Sequence, residues 1–332
     1  MNFNYRIASL NWFGNVIKNS KGTQSISLID QSITSFLQWS IVITVLLFAI
    51  GIWVLKRQIY AKYQLIYKAN PQKQHKLIKI AGWITLIFMF LKSILLIISD
   101  YPDTWEILPL HFCRLCIMFF AFLMIFNKMN MIKYVAFASV LGALLALLIP
   151  DLKSTLVASE DQIIGDVNIL KGENVMAYTW KQYLFYDFFI THAFSLLLPI
   201  ILSVLFPYKI TLKDNIYTYF GFVIVMIILF LINLIANSTG FKNWNSNYLY
   251  LGKIGLSGFP LIISKLGIWA WTIFTLLTVG IIYIVFASLF FIIQDKIHFH
   301  FKKNKFIFLS KSDKWITYKE SFLNFRLFKK RK

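Results

Sequence analysis

Apolar residues run in long blocks along this chain, and polar residues gather between them. Seven blocks near twenty residues long stand out: about Phe36–Leu55, Ile78–Ser99, Leu108–Phe126, Met131–Ile149, Gln182–Phe206, Asn215–Asn237 and Ile268–Ile293. Roughly twenty helical residues cover the ~30 Å of a hydrocarbon core. A chain in lipid must satisfy its own backbone, so each block predicts a transmembrane helix. The alternating, strand-length segments of an outer-membrane barrel are absent from the sequence. The expected fold is therefore all-α: a polytopic membrane protein, a bundle of about seven transmembrane helices. Two apolar stretches fall outside the blocks. Phe3, Ile7, Leu10, Phe13 and Ile17 recur at helical spacing and read either as an interfacial helix or as a disordered tail. Residues 254–266 are apolar but too short to span, so they are interfacial or re-entrant. The organisation predicted is an N-terminal interfacial segment at 1–35, a transmembrane domain at 36–293 and a basic, aromatic tail at 294–332.

Charge adds an orientation. The loop after the first block carries Lys56, Arg57, Lys62, Lys68, Lys73 and Lys76, and the tail holds twelve Lys and Arg, whereas the turn after the second block has none. By the positive-inside rule the N-terminus lies outside and the C-terminus in the cytoplasm, in the cell membrane. The acids agree, with five of them in residues 151–181. The formal charge of +20 thus follows from topology, and nucleic acid is not an expected partner. Membrane lipids are, and the tail is either an ordinary positive-inside tail or a binder of anionic lipid. Lysines outnumber arginines 29 to 5, as an AT-rich coding bias would give, and Arg114 is the single arginine inside a predicted span. The two cysteines, Cys113 and Cys116, share one span, so a disulfide framework between loops is excluded. No cleaved signal peptide is expected.

Candidate chemistry lies inside the third block. His111, Cys113, Arg114 and Cys116 occupy its first two turns, where a charge costs several kcal/mol, roughly 2.5 to 3.5 at the centre of a span and less near its ends. With a rise of about 1.5 Å per residue, Asp187, His192 and Lys92 on neighbouring spans fall at similar depth, and Asn233 and Asn237 lie near the same end. If these helices adjoin, the residues line one externally open polar chamber. Each also has a plainer reading: Lys92 snorkels, Arg114 and Asp187 form a structural ion pair, His192 is a satisfied core histidine, His111 is interfacial, and the cysteines are small hydrophobes. Three chemistries fit the layer. Cys113 is a nucleophile with His192 as base, transferring or hydrolysing lipid acyl groups. Alternatively Cys113 and Cys116 are a dithiol redox pair, or the charges line a transport path. A zinc site from His111, Cys113, Cys116 and His192 would need three ligands from one helix and carries little weight. The sequence has no Walker A loop, G-x-S-x-G elbow or H-E-x-x-H motif, and no cofactor is expected.

Four short pieces in order carry a resemblance: LPLHFC at 108–113, GALLALLIPD at 142–151, FFITH at 188–192 and NSNYLYL at 245–251. The chain resembles the YwaF-like bacterial integral membrane proteins, relatives of vertebrate transmembrane protein 164. The resemblance implies a seven-span bundle. Through the vertebrate branch it implies phospholipid acyl transfer, with Cys113 at the acyl-carrying position and His192 as its partner. His111, Asn247, Tyr248 and Tyr250 become motif residues. Two departures stand out. Arg114 replaces the small polar residue that usually follows the cysteine, and Lys253–Ile254 stands where Lys-Pro is usual.

Overall fold

A computed structural model describes residues 28–68, 70–98, 104–150, 183–239, 271–302 and 311–325, with shorter stretches at 156–157, 161–164, 167–172, 174–175, 180, 244, 246–252 and 305–309. The expected interfacial helix at the N-terminus and the apolar stretch at 254–266 lie outside the described residues. The described helices are α1 (Leu28–Val54), α2 (Lys56–Tyr67), α3 (Pro71–Ile98), α4 (Phe112–Ile125), α5 (Ala136–Leu148), α6 (Tyr183–Leu205), α7 (Leu212–Ser238), α8 (Trp271–Lys296) and α9 (Asp313–Leu323). Six are long and apolar enough to cross a membrane, counting α4 with the turn before it as Trp105–Ile125. The protein is a polytopic helical membrane protein. The block expected at 131–149 is divided: a 3-10 segment, Met129–Tyr134, precedes the thirteen-residue α5. Lys133 explains the break, because its ammonium reaches Asp214 at 2.6 Å rather than facing lipid.

Local sequence sets the helix ends. Asn70 accepts the Lys73 N–H at 3.0 Å and Pro71 takes the first helical position of α3, where its missing N–H costs nothing. Helix α4 closes with Asn127 in the left-handed region at φ 53°, while Lys128 N–H reaches back to the Leu123 carbonyl at 2.8 Å. Thr211 and Asp214 form a reciprocal capping box at the start of α7. Apolar surface on α3, α7 and α8 stays exposed, for instance Ile84, Ile87, Ile224, Phe286 and Phe290, as a lipid-facing wall requires.

Helix α6 is central, packed against α1, α2, α4 and α5, and α4 lies between α3, α5 and α6. Gly82 lets α3 and α4 meet closely: a Cβ there would sit 2.9 Å from the Ala121 carbonyl oxygen. Helices α7 and α8 form a second pair. After α8, Ile297–Lys302 pairs antiparallel with Lys305–Leu309, and α9 packs on α7 and α8. Buried Tyr318 of α9 accepts from the Asn215 amide at 2.8 Å, and Ser288 donates to the same amide's oxygen at 2.8 Å. The polar loop before α6 carries two nested antiparallel pairs, Leu156–Val157 with Asn174–Val175 and Gln162–Ile164 with Val167–Ile169.

Candidate functional site

The site forms at one end of the bundle, where α3 finishes, α4 and α6 begin and α7 finishes. Polar residues recur on α6 every fourth position: Tyr183, Asp187, Thr191 and Ser195. That spacing puts them on one face, and the face turns toward α4. Arg114 donates through one nitrogen to both Asp187 oxygens, at 2.5 and 2.7 Å, and to Thr191 Oγ1 at 3.1 Å. Lys92 of α3 lies 3.6 Å from Asp187 and 3.2 Å from Glu106, which sits on the 3-10 turn Thr104–Ile107. Tyr183 donates to Asp187 at 3.5 Å. Ser93 fixes the turn by donating to the Ile107 carbonyl at 2.5 Å. The result is a buried, charge-balanced quartet of Lys92, Arg114, Glu106 and Asp187 joining three helices.

An aromatic wall stands beside it. His111, at the N-cap of α4, has its ring centroid 5.1 Å from Trp105 and 5.9 Å from Tyr248, and Trp105 and Tyr248 are 5.3 Å apart. Tyr248 is fully buried and donates its hydroxyl to the Trp105 carbonyl. Asn233 holds it from α7: its side-chain amide donates to the Tyr248 carbonyl at 2.9 Å and accepts the Tyr248 N–H at 3.0 Å. Asn237 donates to the Ser246 carbonyl at 3.1 Å, and Asn247 accepts the Gly252 N–H at 2.9 Å. Asn233 and Asn237, expected along the chamber, therefore spend their amides on the backbone of residues 246–248. Tyr250 sits at φ 57°, part-exposed on the same short turn.

Cys113 occupies the first turn of α4, buried and free, and on α6 the Ser195 carbonyl accepts from Ser139 of α5 at 2.7 Å. His192, one turn earlier on α6, bonds the Phe188 carbonyl through Nδ1 at 2.7 Å. Gly142 of α5 backs this turn: a Cβ there would lie 3.1 Å from the Phe112 ring and 3.9 Å from Cys113 Sγ. Cys116 is buried and free like Cys113. Among the described residues no three His, Cys, Asp or Glu side chains gather as a metal-holding group.

With this arrangement in place, a family model described as the TMEM164 family matches residues 31–305. The chain belongs to the TMEM164 family. No curated protein and no solved structure matches it. In this TMEM164 family chain the structure brings Lys92, His111, Cys113, Arg114, Asp187, His192 and Tyr248 to one end of the bundle. Sequence reasoning did not single out Glu106, Trp105, Thr191, Ser195 and Ser139. The four-residue stripe on α6 is a signal for Thr191 and Ser195. The others depend on how a turn and a neighbouring helix fold against the site.

Proposed function

We propose that the protein transfers acyl groups between membrane lipids, with Cys113 as the acyl-carrying nucleophile and His192 as its base. One observation carries the reading. The Phe188 carbonyl can only accept, so Nδ1 of His192 must carry the ring proton and Nε2 keeps the lone pair a general base needs. Cys113 lies in the first turn of α4, where free backbone N–H groups and the helix dipole favour a thiolate. Nε2 takes the thiol proton as sulfur attacks the ester carbonyl of a phospholipid. The C–O bond breaks, the departing lysophospholipid oxygen takes the proton from His192, and a thioester remains on Cys113. The hydroxyl of an acceptor lysophospholipid then attacks the thioester. Its proton passes through His192 to the departing thiolate sulfur.

The quartet supports this reading over passage of an ionic substrate. Its two cations and two anions balance, so it offers no unpaired charge to a travelling ion. Its place in the proposal is to hold α3, α4 and α6 around the reacting turn. The chamber end faces outside and the lysine-rich end the cytoplasm, following the distribution of Lys and Arg. Purified protein incubated with phospholipid vesicles tests the proposal by mass spectrometry. A hydroxylamine-sensitive acyl adduct on Cys113, lost in Cys113→Ser and slowed in His192→Ala, is the expected result. No adduct on folded protein across several phospholipid classes would overturn it, and dependence on both cysteines would favour dithiol chemistry.

A further inference from the structure

At the end of the bundle opposite the chamber, α9 lies level with the terminal turns of two spans. Ser312 and Lys314 bind Asp295 of α8 at 2.8 and 3.2 Å, and the Lys314 ammonium lies 3.9 Å from the Phe291 ring centroid. Further along, Tyr318 takes the Asn215 amide, and Ser321 accepts the Leu212 N–H at 3.0 Å. Leu212 opens one membrane-spanning helix and Lys296 closes another, so α9 sits at the membrane boundary rather than out in solution. The helix presents three sides. Lys314, Tyr318 and Ser321, spaced by four and three, grip α7 and α8. Asp313 and Glu320, seven apart, lie on a second, exposed side. The third side is apolar and bare among the described residues. Trp315, Ile316, Phe322 and Leu323 are 40%, 51%, 54% and 76% exposed, with exposed Lys319 at their centre. This side continues a surface that already meets lipid. The Lys296 ammonium lies 5.3 Å from the Trp315 ring centroid, and Phe286, Phe290 and Ile293 run up to Lys296 as an exposed stripe of α8.

We propose that α9 lies in the membrane surface with this bare side down and binds anionic phospholipid of the leaflet at the lysine-rich end. Trp315, Ile316, Phe322 and Leu323 enter the boundary between headgroups and acyl chains, a depth that tryptophan favours. Lys319 and Lys296 lay their apolar stems along this side and carry their ammonium groups up to the lipid phosphates. Charge selects the anionic lipid. Residues 294–332 hold twelve Lys and Arg against three acids. One of the three, Asp295, is taken by Ser312 and Lys314, and the other two, Asp313 and Glu320, lie on the side turned away from the lipid. A second copy of the chain fits less well, because a two-fold contact through this side would set Lys319 against its own equivalent.

The test follows the fluorescence of Trp315 in vesicles of phosphatidylcholine and phosphatidylglycerol in equal amounts, taken as the difference between wild type and Trp315→Phe. One lipid at a time carries bromine high on its acyl chains, where it quenches an indole only on contact. Both lipids should quench, and brominated phosphatidylglycerol about twofold more, because the lysines gather the anionic lipid. Lys319→Glu should bring the two lipids close to equal. Leu323→Trp adds a second reporter at the far end of the same side, with the same preference expected, and it decides alone should Trp315→Phe disturb the fold. Equal quenching by the two lipids in the wild-type difference would overturn the recognition of anionic lipid, and a preference unchanged in Lys319→Glu would overturn the part given to Lys319. Emission untouched by bromine but quenched by acrylamide would put this side of α9 in water. Emission shielded from both would mean that protein, a second copy included, covers it. Either result overturns the proposal, and none of these results depends on the chemistry of Cys113.

Discussion

The asymmetry within the charge quartet sets the order of mutational damage. Asp187→Leu leaves Arg114 with only the Thr191 hydroxyl at 3.1 Å, while Lys92 keeps Glu106 at 3.2 Å. Arg114 has a side chain only 6% exposed, and a guanidinium cannot shed its proton. Stranding such a charge costs about 3–5 kcal/mol. Arg114→Met is milder, because Asp187 keeps Lys92 at 3.6 Å and the Tyr183 hydroxyl at 3.5 Å. We expect about 1–3 kcal/mol there, the scale of a lost charged hydrogen bond. The double variant Arg114→Met with Asp187→Leu removes both ends of the pair and leaves Lys92 on Glu106. Its cost should fall below the sum of the single losses by about 2 kcal/mol, the coupling expected of partners in one buried network. Unfolding midpoints in mixed micelles of dodecyl maltoside and dodecyl sulfate measure all three. If Arg114→Met is as damaging as Asp187→Leu, or the two losses simply add, the pair is not what organises this end of the bundle.

Three further outcomes follow from the geometry. Asn233→Leu strands the buried Tyr248 N–H at a cost of about 1–3 kcal/mol, while the Tyr248 carbonyl keeps the Leu251 N–H at 3.1 Å. Limited proteolysis should then cut between α7 and α8 faster than in wild type; an unchanged cleavage rate refutes the clamp. Gly252→Ala would place a Cβ 2.3 Å from the Ser246 carbonyl oxygen, so the variant should lose the turn at 246–252 and show the same cleavage. At the opposite end, Lys56 is half-buried and donates to the Gln294 carbonyl at 2.7 Å. Burial, partly offset by Asp295, lowers its pKa from 10.5 to about 8. Between these values the unfolded chain binds the proton more readily than the folded one, so this residue's contribution to stability rises with pH across that window. The unfolding midpoint of wild type relative to Lys56→Met should climb between pH 8 and 10, and parallel curves would refute the shift.

The fold was legible where a residue has one physical option. Twenty apolar residues have nowhere to lie but lipid, so the long spans follow from the pattern. The fourth block was harder. Met129–Tyr134 is apolar enough to extend a helix, but Lys133 and Tyr134 are drawn to Asp214, a partner eighty residues away from Tyr134. At the site, Arg114 and Asp187 stood out as intramembrane charges, and their pairing was one of the readings open. Glu106 did not, because it lies in a turn outside the apolar block and reaches Lys92 only when that turn folds over α3. Asn233 and Asn237 were expected near one end of their span, but depth does not say which way an amide points. They face the backbone of residues 246–248. The Ser139–Ser195 bond was hidden for another reason: it answers a carbonyl freed by Pro199, and nothing in sequence shows which helix lies opposite.

The four motif pieces that carry the family resemblance are far apart in sequence, and the geometry gives them a common purpose. LPLHFC supplies the first turn of α4 itself. The Gly142 of GALLALLIPD has no side chain to displace Phe112 or Cys113, which fixes how closely α5 backs that turn. FFITH supplies Thr191 to Arg114 and His192 beside it. NSNYLYL supplies Tyr248, which locks Trp105 and packs on His111 from the other side. What the pieces share is contact with the turn that bears His111, Cys113 and Arg114. That convergence is independent of the Cys113 chemistry proposed above, and it singles out the first turn of α4 as the place where any activity of this chain should be sought.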